Sequence, residues 1–160
     1  MGVAEEVKGE LEAKFPKELK SSQVLRPRAI RVRIDRKDLL PLAKHLKAAG
    51  FEHCSCISAV DWVTRYESVY HITSWRRNVL VEIVAEIPHD DPVIDSVYAV
   101  WHGADYHERE AWDLMGIRYE GHPNLERILL PRDFQYHPLR KDFPQEVDRQ
   151  YISRRKLGGG

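Results

Sequence analysis

Three β-rich stretches follow one another between His53 and Ile87, and they limit the fold more than any other part of the chain. HCSCISAVDW (53–62), SVYHITSW (68–75) and VLVEIVAEI (79–87) concentrate β-branched and aromatic residues, the types that fit a pleated, half-buried surface. RRN (76–78) separates the last two and suits a hairpin loop. Upstream, AIRVRID alternates Ile30, Val32 and Ile34 with charged residues, the period of a strand with one buried face.

Helical segments flank these strands. Val3, Val7, Leu11 and Phe15 recur every four residues and end at Pro16, which predicts a short amphipathic helix. DLLPLAKHLKAAG (38–50) predicts a second, with Asp38 as cap, Pro41 in the first turn and Gly50 as the stop. After Pro92, the residues Ile94, Val97, Tyr98 and Trp101 fall on one helical face, which predicts a third. Gly103 interrupts it. Asp105 and Glu108 then have the spacing of a capping box for a fourth helix, which carries Trp112 and Met115 toward a core and stops at Gly116. The order predicts an α+β fold: a mostly antiparallel sheet with flanking helices and a long extended C-terminal arm. Residues 1–119 form the expected domain and residues 120–160 the arm, with Gly158–Gly160 as a mobile end.

Charge and cysteine usage narrow the function. Lys+Arg and Asp+Glu are both 25 in 160 residues, so the basic excess of a nucleic-acid binder is missing. Cys54 and Cys56 stand two apart on a strand, are not placed to bridge each other, and fit a reducing compartment. No apolar run reaches the roughly 20 residues that span a bilayer, and the N-terminus has no apolar signal core.

Catalytic and cofactor motifs are weak. Neither GxxxxGK[ST] nor GxGxxG occurs, and two cysteines fall short of the four thiolates an ordinary iron–sulfur cluster needs. HCSC (53–56) has no second Cys/His pair at zinc-finger spacing, so its thiols are expected to be buried strand residues. HGADYHEREAWD (102–113) is dense in His and carboxylates but lacks H-E-x-x-H. It reads as helix electrostatics, with Arg109 and Asp113 as i,i+4 partners. The remaining reading of that cluster, a stand-alone metal hydrolase using His102 and His107, is the alternative from another class.

The arm carries more information. Ile128, Leu129 and Leu130 stand in a row between Arg127 and Pro131, and HPLRKDFP (137–144) mixes prolines, ions and an aromatic ring. A solvated tail rarely holds three aliphatic residues together, and prolines reduce the entropy lost when an extended segment docks. These features predict an arm that gains its structure on another protein.

YHEREAWDLMGIRYEGHPNLERILLPRDFQYHPLRKDFP (106–144) resembles the signature region of the thirty-kilodalton subunit, the C-type subunit, of respiratory complex I and its relatives. The matching runs are Glu108-Arg109-Glu110, Gly116-Ile117, Gly121-His122-Pro123, Arg127-Ile128-Leu129 and His137-Pro138 followed by Arg140-Lys141-Asp142. Glu126 stands where the family is often basic, and Tyr136 where it usually has glycine. The resemblance implies a non-catalytic, cofactor-free structural subunit of the peripheral arm of a membrane-bound complex that passes electrons to quinone and moves ions. Iron–sulfur clusters are expected in partner subunits. The expected partners are a hydrogenase-like large subunit, on which the chain packs and which its arm wraps, and the adjacent small iron–sulfur subunit. No nucleic acid is expected, and membrane contact comes only through partners. The expected location is the cytoplasmic side of the cell membrane, or the matrix or stromal side in an organelle. His122, Arg127, Ile128, Leu129, His137, Arg140, Lys141 and Asp142 are the expected partner-binding residues. The equivalent subunit of a membrane-bound hydrogenase or a sulfur-reducing relative is the alternative within the family.

Overall fold

A computed structural model of the chain describes residues 2–144 and Glu146. The rest of the expected arm, closing glycines included, lies outside the described residues. The elements run α1 (Val3–Lys14), β1 (Leu19–Arg26), β2 (Ala29–Asp35), α2 (Leu39–Ala48), β3 (His53–Asp61), β4 (Arg65–Ser74), β5 (Val79–Pro88), β6 (Val93–Asp95), α3 (Asp105–Met115) and β7 (Arg118–Glu120).

The five-stranded sheet has the order β1-β2-β5-β4-β3. β3, β4 and β5 form an antiparallel meander, and β1–β2 is an antiparallel hairpin. The two blocks join through a parallel pairing, with Ala29 opposite Leu80 and Asp35 opposite Glu86. The α2 connection carries the chain from β2 to the far edge, and the meander brings it back. One sheet face buries Ile30, Val32 and Ile34 with Tyr70, Ile72, Val81 and Ile83, and Leu11, Leu42 and Leu46 of the helices close the same core. The other face is ionic. Arg33 bonds Glu67 and Glu86, and Arg31 bonds Glu82.

Four features differ from the sequence reading. Leu19–Arg26 is a strand that its polar composition, LKSSQVLR, concealed; as an edge it needs only one partner, β2. The helix expected from Ile94 to Trp101 is absent. Ile94, Val97 and Trp101 are buried as its pattern required, but Val93–Asp95 pairs in parallel with Arg118–Glu120 instead. Tertiary pairing overrides a local period there. Trp101 reaches its place by a turn, donating its indole N–H to the Phe51 carbonyl at 2.8 Å. The capping box is also absent: Asp105 is the first residue of α3 and Ala104 stands at the cap, and Glu108 is wholly buried and turned toward Ser96 and Val97. Asp38 likewise makes no side-chain cap, because a 3-10 turn, Arg36–Asp38, leads into α2. Cys54 is buried and both thiols are free.

Candidate functional site

The last carbonyls of a helix have no partner within it. In α3 they are met by the arm. After Gly121 the chain runs without helix or strand to Pro144 and lies across the C-terminal end of α3. Arg127 Nη1 donates to the Asp113 carbonyl at 3.1 Å, and His137 Nδ1 stands 2.9 Å from it. The Leu139 amide donates to the Leu114 carbonyl at 3.0 Å. Arg140 Nε donates to the Met115 carbonyl at 2.7 Å. Cationic groups suit the negative end of the helix dipole.

Asp113 is the node of this contact. Its side chain is fully buried, and Oδ1 accepts from Arg127 Nη1 at 2.6 Å. Oδ2 accepts the successive amides of Ile128, Leu129 and Leu130 at 3.1, 2.8 and 3.0 Å. Burial pushes this carboxyl up, but the three amides and the guanidinium outweigh it and hold it below its ordinary value. The aliphatic row is therefore set by its backbone: Ile128 and Leu130 are half-buried, while Leu129 is exposed. Arg127 also stacks over Trp112 and buried Phe134 at 5.5 and 5.9 Å.

Gly116 makes the approach possible. Its φ is +73°, and an added Cβ would lie 2.5 Å from Arg140 Nη2 and 2.6 Å from His137 Cδ2. The arm then reaches the sheet. The Lys141 amide donates to Asp61 Oδ2 at 2.9 Å, and the Arg140 guanidinium stands 5.6 Å over the Tyr66 ring.

A second buried acid ties α3 to the small sheet. Glu108 accepts from Ser96 Oγ at 2.5 Å and from the Val97 amide at 2.8 Å. Burial raises its carboxyl to about 7, against the pull of those two bonds. His122 packs its buried ring beside it, with Nε2 at 3.3 Å from Asp105 and 4.0 Å from Glu108. Burial lowers the imidazole, opposed by Asp105.

Of the residues singled out in the sequence, Arg127, Ile128, Leu129, His137 and Arg140 come together on α3 of their own chain. Lys141 continues the contact through its backbone, Asp142 is exposed, and His122 lies apart in the Glu108 pocket. Before any partner is considered, the arm up to Pro144 has a surface of its own. Arg109 is not the partner of Asp113; it stands near Asp105 and donates to the Glu126 carbonyl. His102 packs against Tyr98, and among the described residues no three His, Cys, Asp or Glu side chains converge as a metal ion would require. Sequence reasoning missed Asp113 as the node and Asp61 as the second anchor. The usable signal was three consecutive aliphatic residues in a proline-rich stretch, whose amides need an acceptor.

The sequence matches the family described as "Respiratory-chain NADH dehydrogenase, 30 Kd subunit" over residues 32–149. The chain belongs to that family. It is 43% identical over 120 residues to the C-type subunit of NADH-quinone oxidoreductase from Saccharopolyspora erythraea, covering 69% of this chain and 47% of that protein. It is 48% identical over 79 residues to the C/D-type subunit of NADH-quinone oxidoreductase from Methylococcus capsulatus, covering 49% of this chain and 14% of that one. The chain thus spans under half the length of these relatives. Among solved structures, the trypsin-resistant fragment (1-134) of Nqo5 aligns with a TM-score of 0.66 at 28% identity, over 77% of this chain and 99% of the fragment. A chain of the membrane-bound sulfane sulfur reductase, an archaeal respiratory membrane complex, aligns with a TM-score of 0.81 at 25% identity, over 92% of this chain and 91% of that one. No helix among the described residues is long and apolar enough to cross a membrane.

Proposed function

We propose that this chain is a cofactor-free, non-catalytic structural subunit of the peripheral arm of a complex I-like membrane-bound respiratory complex. In that complex, electron transfer to quinone is coupled to ion translocation. The chain packs on the hydrogenase-like large subunit, beside the small iron–sulfur subunit, and sits at the cytoplasmic face through them. The observation that carries this reading is the C/D-type relative, whose name joins a C-type unit to a D-type one. The arm supports it by presenting Leu129 and Leu139, 60% and 59% exposed, while its backbone is fixed on α3. A rigid backbone with exposed apolar side chains lowers the ordering cost of docking. The sulfane sulfur reductase alignment favours a second reading, the equivalent subunit of a sulfur-reducing relative.

Purification of the tagged chain from solubilised membranes tests the proposal. It should bring down a D-type large subunit and quinone reductase activity. Recovery without any large subunit would overturn it; recovery with sulfur reductase activity would select the second reading. The isolated chain should lack visible absorption and stoichiometric iron or zinc, and finding either would refute the cofactor-free assignment.

A further inference from the structure

The loop joining β3 to β4 is a two-residue hairpin closed by the Trp62 amide, which donates to the Arg65 carbonyl at 2.9 Å. Val63 is the first residue of that loop, and its φ is +71°. Primed hairpin turns require a positive φ there and normally use Gly, Asn or Asp. A β-branched residue in that region is an outlier. The surrounding structure enforces it: buried Asp61 accepts the Val63 amide on Oδ1 at 2.7 Å and the Lys141 amide on Oδ2 at 2.9 Å. The tip and the arm are therefore one unit. The Val63 side chain gains no burial in exchange for this strain, since it is 60% exposed and Trp62 beside it is 49% exposed. Arg65 and Lys141 stand over the Trp62 ring at 5.8 and 5.9 Å.

We propose that the Trp62–Val63 tip, with Lys141, is an anchor that inserts into an apolar socket bordered by carboxylates on the D-type large subunit. This rests on the proposed function above. Strain held under an exposed apolar side chain marks a functional position, and an aromatic ring fringed by cations has the composition of an interface hot spot. Lys141 belongs to the arm that presents exposed Leu139 two residues earlier, so a partner that covers Leu139 borders the tip. A second copy of this chain is the poorer occupant: Arg65 is already paired with buried Glu67 at 2.8 Å, and a two-fold contact would bring the Lys141 cations of both copies into one interface without a new carboxylate.

The test uses the full chain with the D-type large subunit of the same complex, measuring affinity and melting temperature. Val63→Gly relieves the strain and removes the side chain, so it should raise the melting temperature of the isolated chain yet weaken binding at least tenfold. Trp62→Ala should weaken binding by more. Trp75→Ala, an exposed indole at the opposite end of β4, should leave binding within twofold. Val63→Gly and Trp62→Ala with wild-type binding would overturn the anchor alone. A wild-type chain that fails to bind the D-type large subunit would overturn the proposed function and the anchor together. A Val63→Gly variant that melts lower would refute the strain. A self-dimer that Trp62→Ala abolishes, without change in binding to the large subunit, would give the tip to a second copy.

Discussion

Asp113 receives four donors on two oxygens, and removing its carboxylate leaves the three amides without that acceptor and Arg127 with backbone carbonyls alone. Arg127, only 10% exposed, would lose the carboxylate it bonds at 2.6 Å. Breaking one side of such a pair costs about 3–5 kcal/mol. Asp113→Ala should lower the urea-unfolding free energy by that order, and a change under about 1 kcal/mol would refute the assignment. Since this carboxyl is held below its ordinary value, its contribution is complete above that value and is lost as pH falls through the folded one. Glu108 has the opposite sign. Its carboxyl is raised from 4.5 to about 7, so the fold favours the protonated form, fully so below 4.5. That stabilisation disappears as pH rises to about 7, and a shift of this size corresponds to about 3 kcal/mol. Lowered His122 opposes this trend, since it favours the neutral ring and loses stability as pH falls below 6.5. Glu108→Gln should therefore remove the fall in melting temperature between pH 4.5 and 7 and leave the His122 trend exposed. An unchanged pH profile would count against a raised Glu108.

At the scale of elements, α3 ends where it does because the arm supplies its last hydrogen bonds. Gly116→Ala would force a Cβ onto Arg140 and His137 at a positive φ, a conformation costing about 1–3 kcal/mol before any clash. Amide hydrogen exchange should reveal it as lost protection at Leu139, whose amide bonds the Leu114 carbonyl. Arg140→Ala should show the same local loss, with a global effect of about 1.5–3 kcal/mol for a charged donor. Elements whose burial pattern and backbone partners agreed were legible in the sequence: α1, β2, α2 and the β3–β5 meander. β6 was not, because Ile94, Val97 and Trp101 satisfy a helical period by burial while the backbone answers to β7, more than twenty residues later. Arg127, His137 and Arg140 stood out in the sequence as expected partner-binding residues, not as a cluster on their own helix; the acids that fix the arm, Asp113 and Asp61, lie in segments that read locally as a helix and a strand end. No local pattern announces a long-range acceptor.

For the molecule as a whole, the arm up to Pro144 is part of the fold. Truncation after Pro144 keeps the described contacts to Asp113, Met115 and Asp61, and if these hold the arm it should leave the melting temperature within a few degrees. Truncation after Glu120 removes Arg127, Phe134 and Arg140 and uncaps α3, and should lower it clearly. Equal melting temperatures for the two would show that the arm adds nothing to the isolated chain.

The parallel seam between β2 and β5 sets a condition on how this molecule is made. Ala29 meets Leu80 about fifty residues further along, so the β1–β2 hairpin emerges from synthesis with one edge waiting. Everything between, α2 and two strands included, must be laid down before that edge is covered. Loop-closure entropy makes such a late union slow compared with a local hairpin. During that interval Ile30, Val32 and Ile34 lack their final neighbours, and the nascent chain is at its most vulnerable to pairing with a stranger.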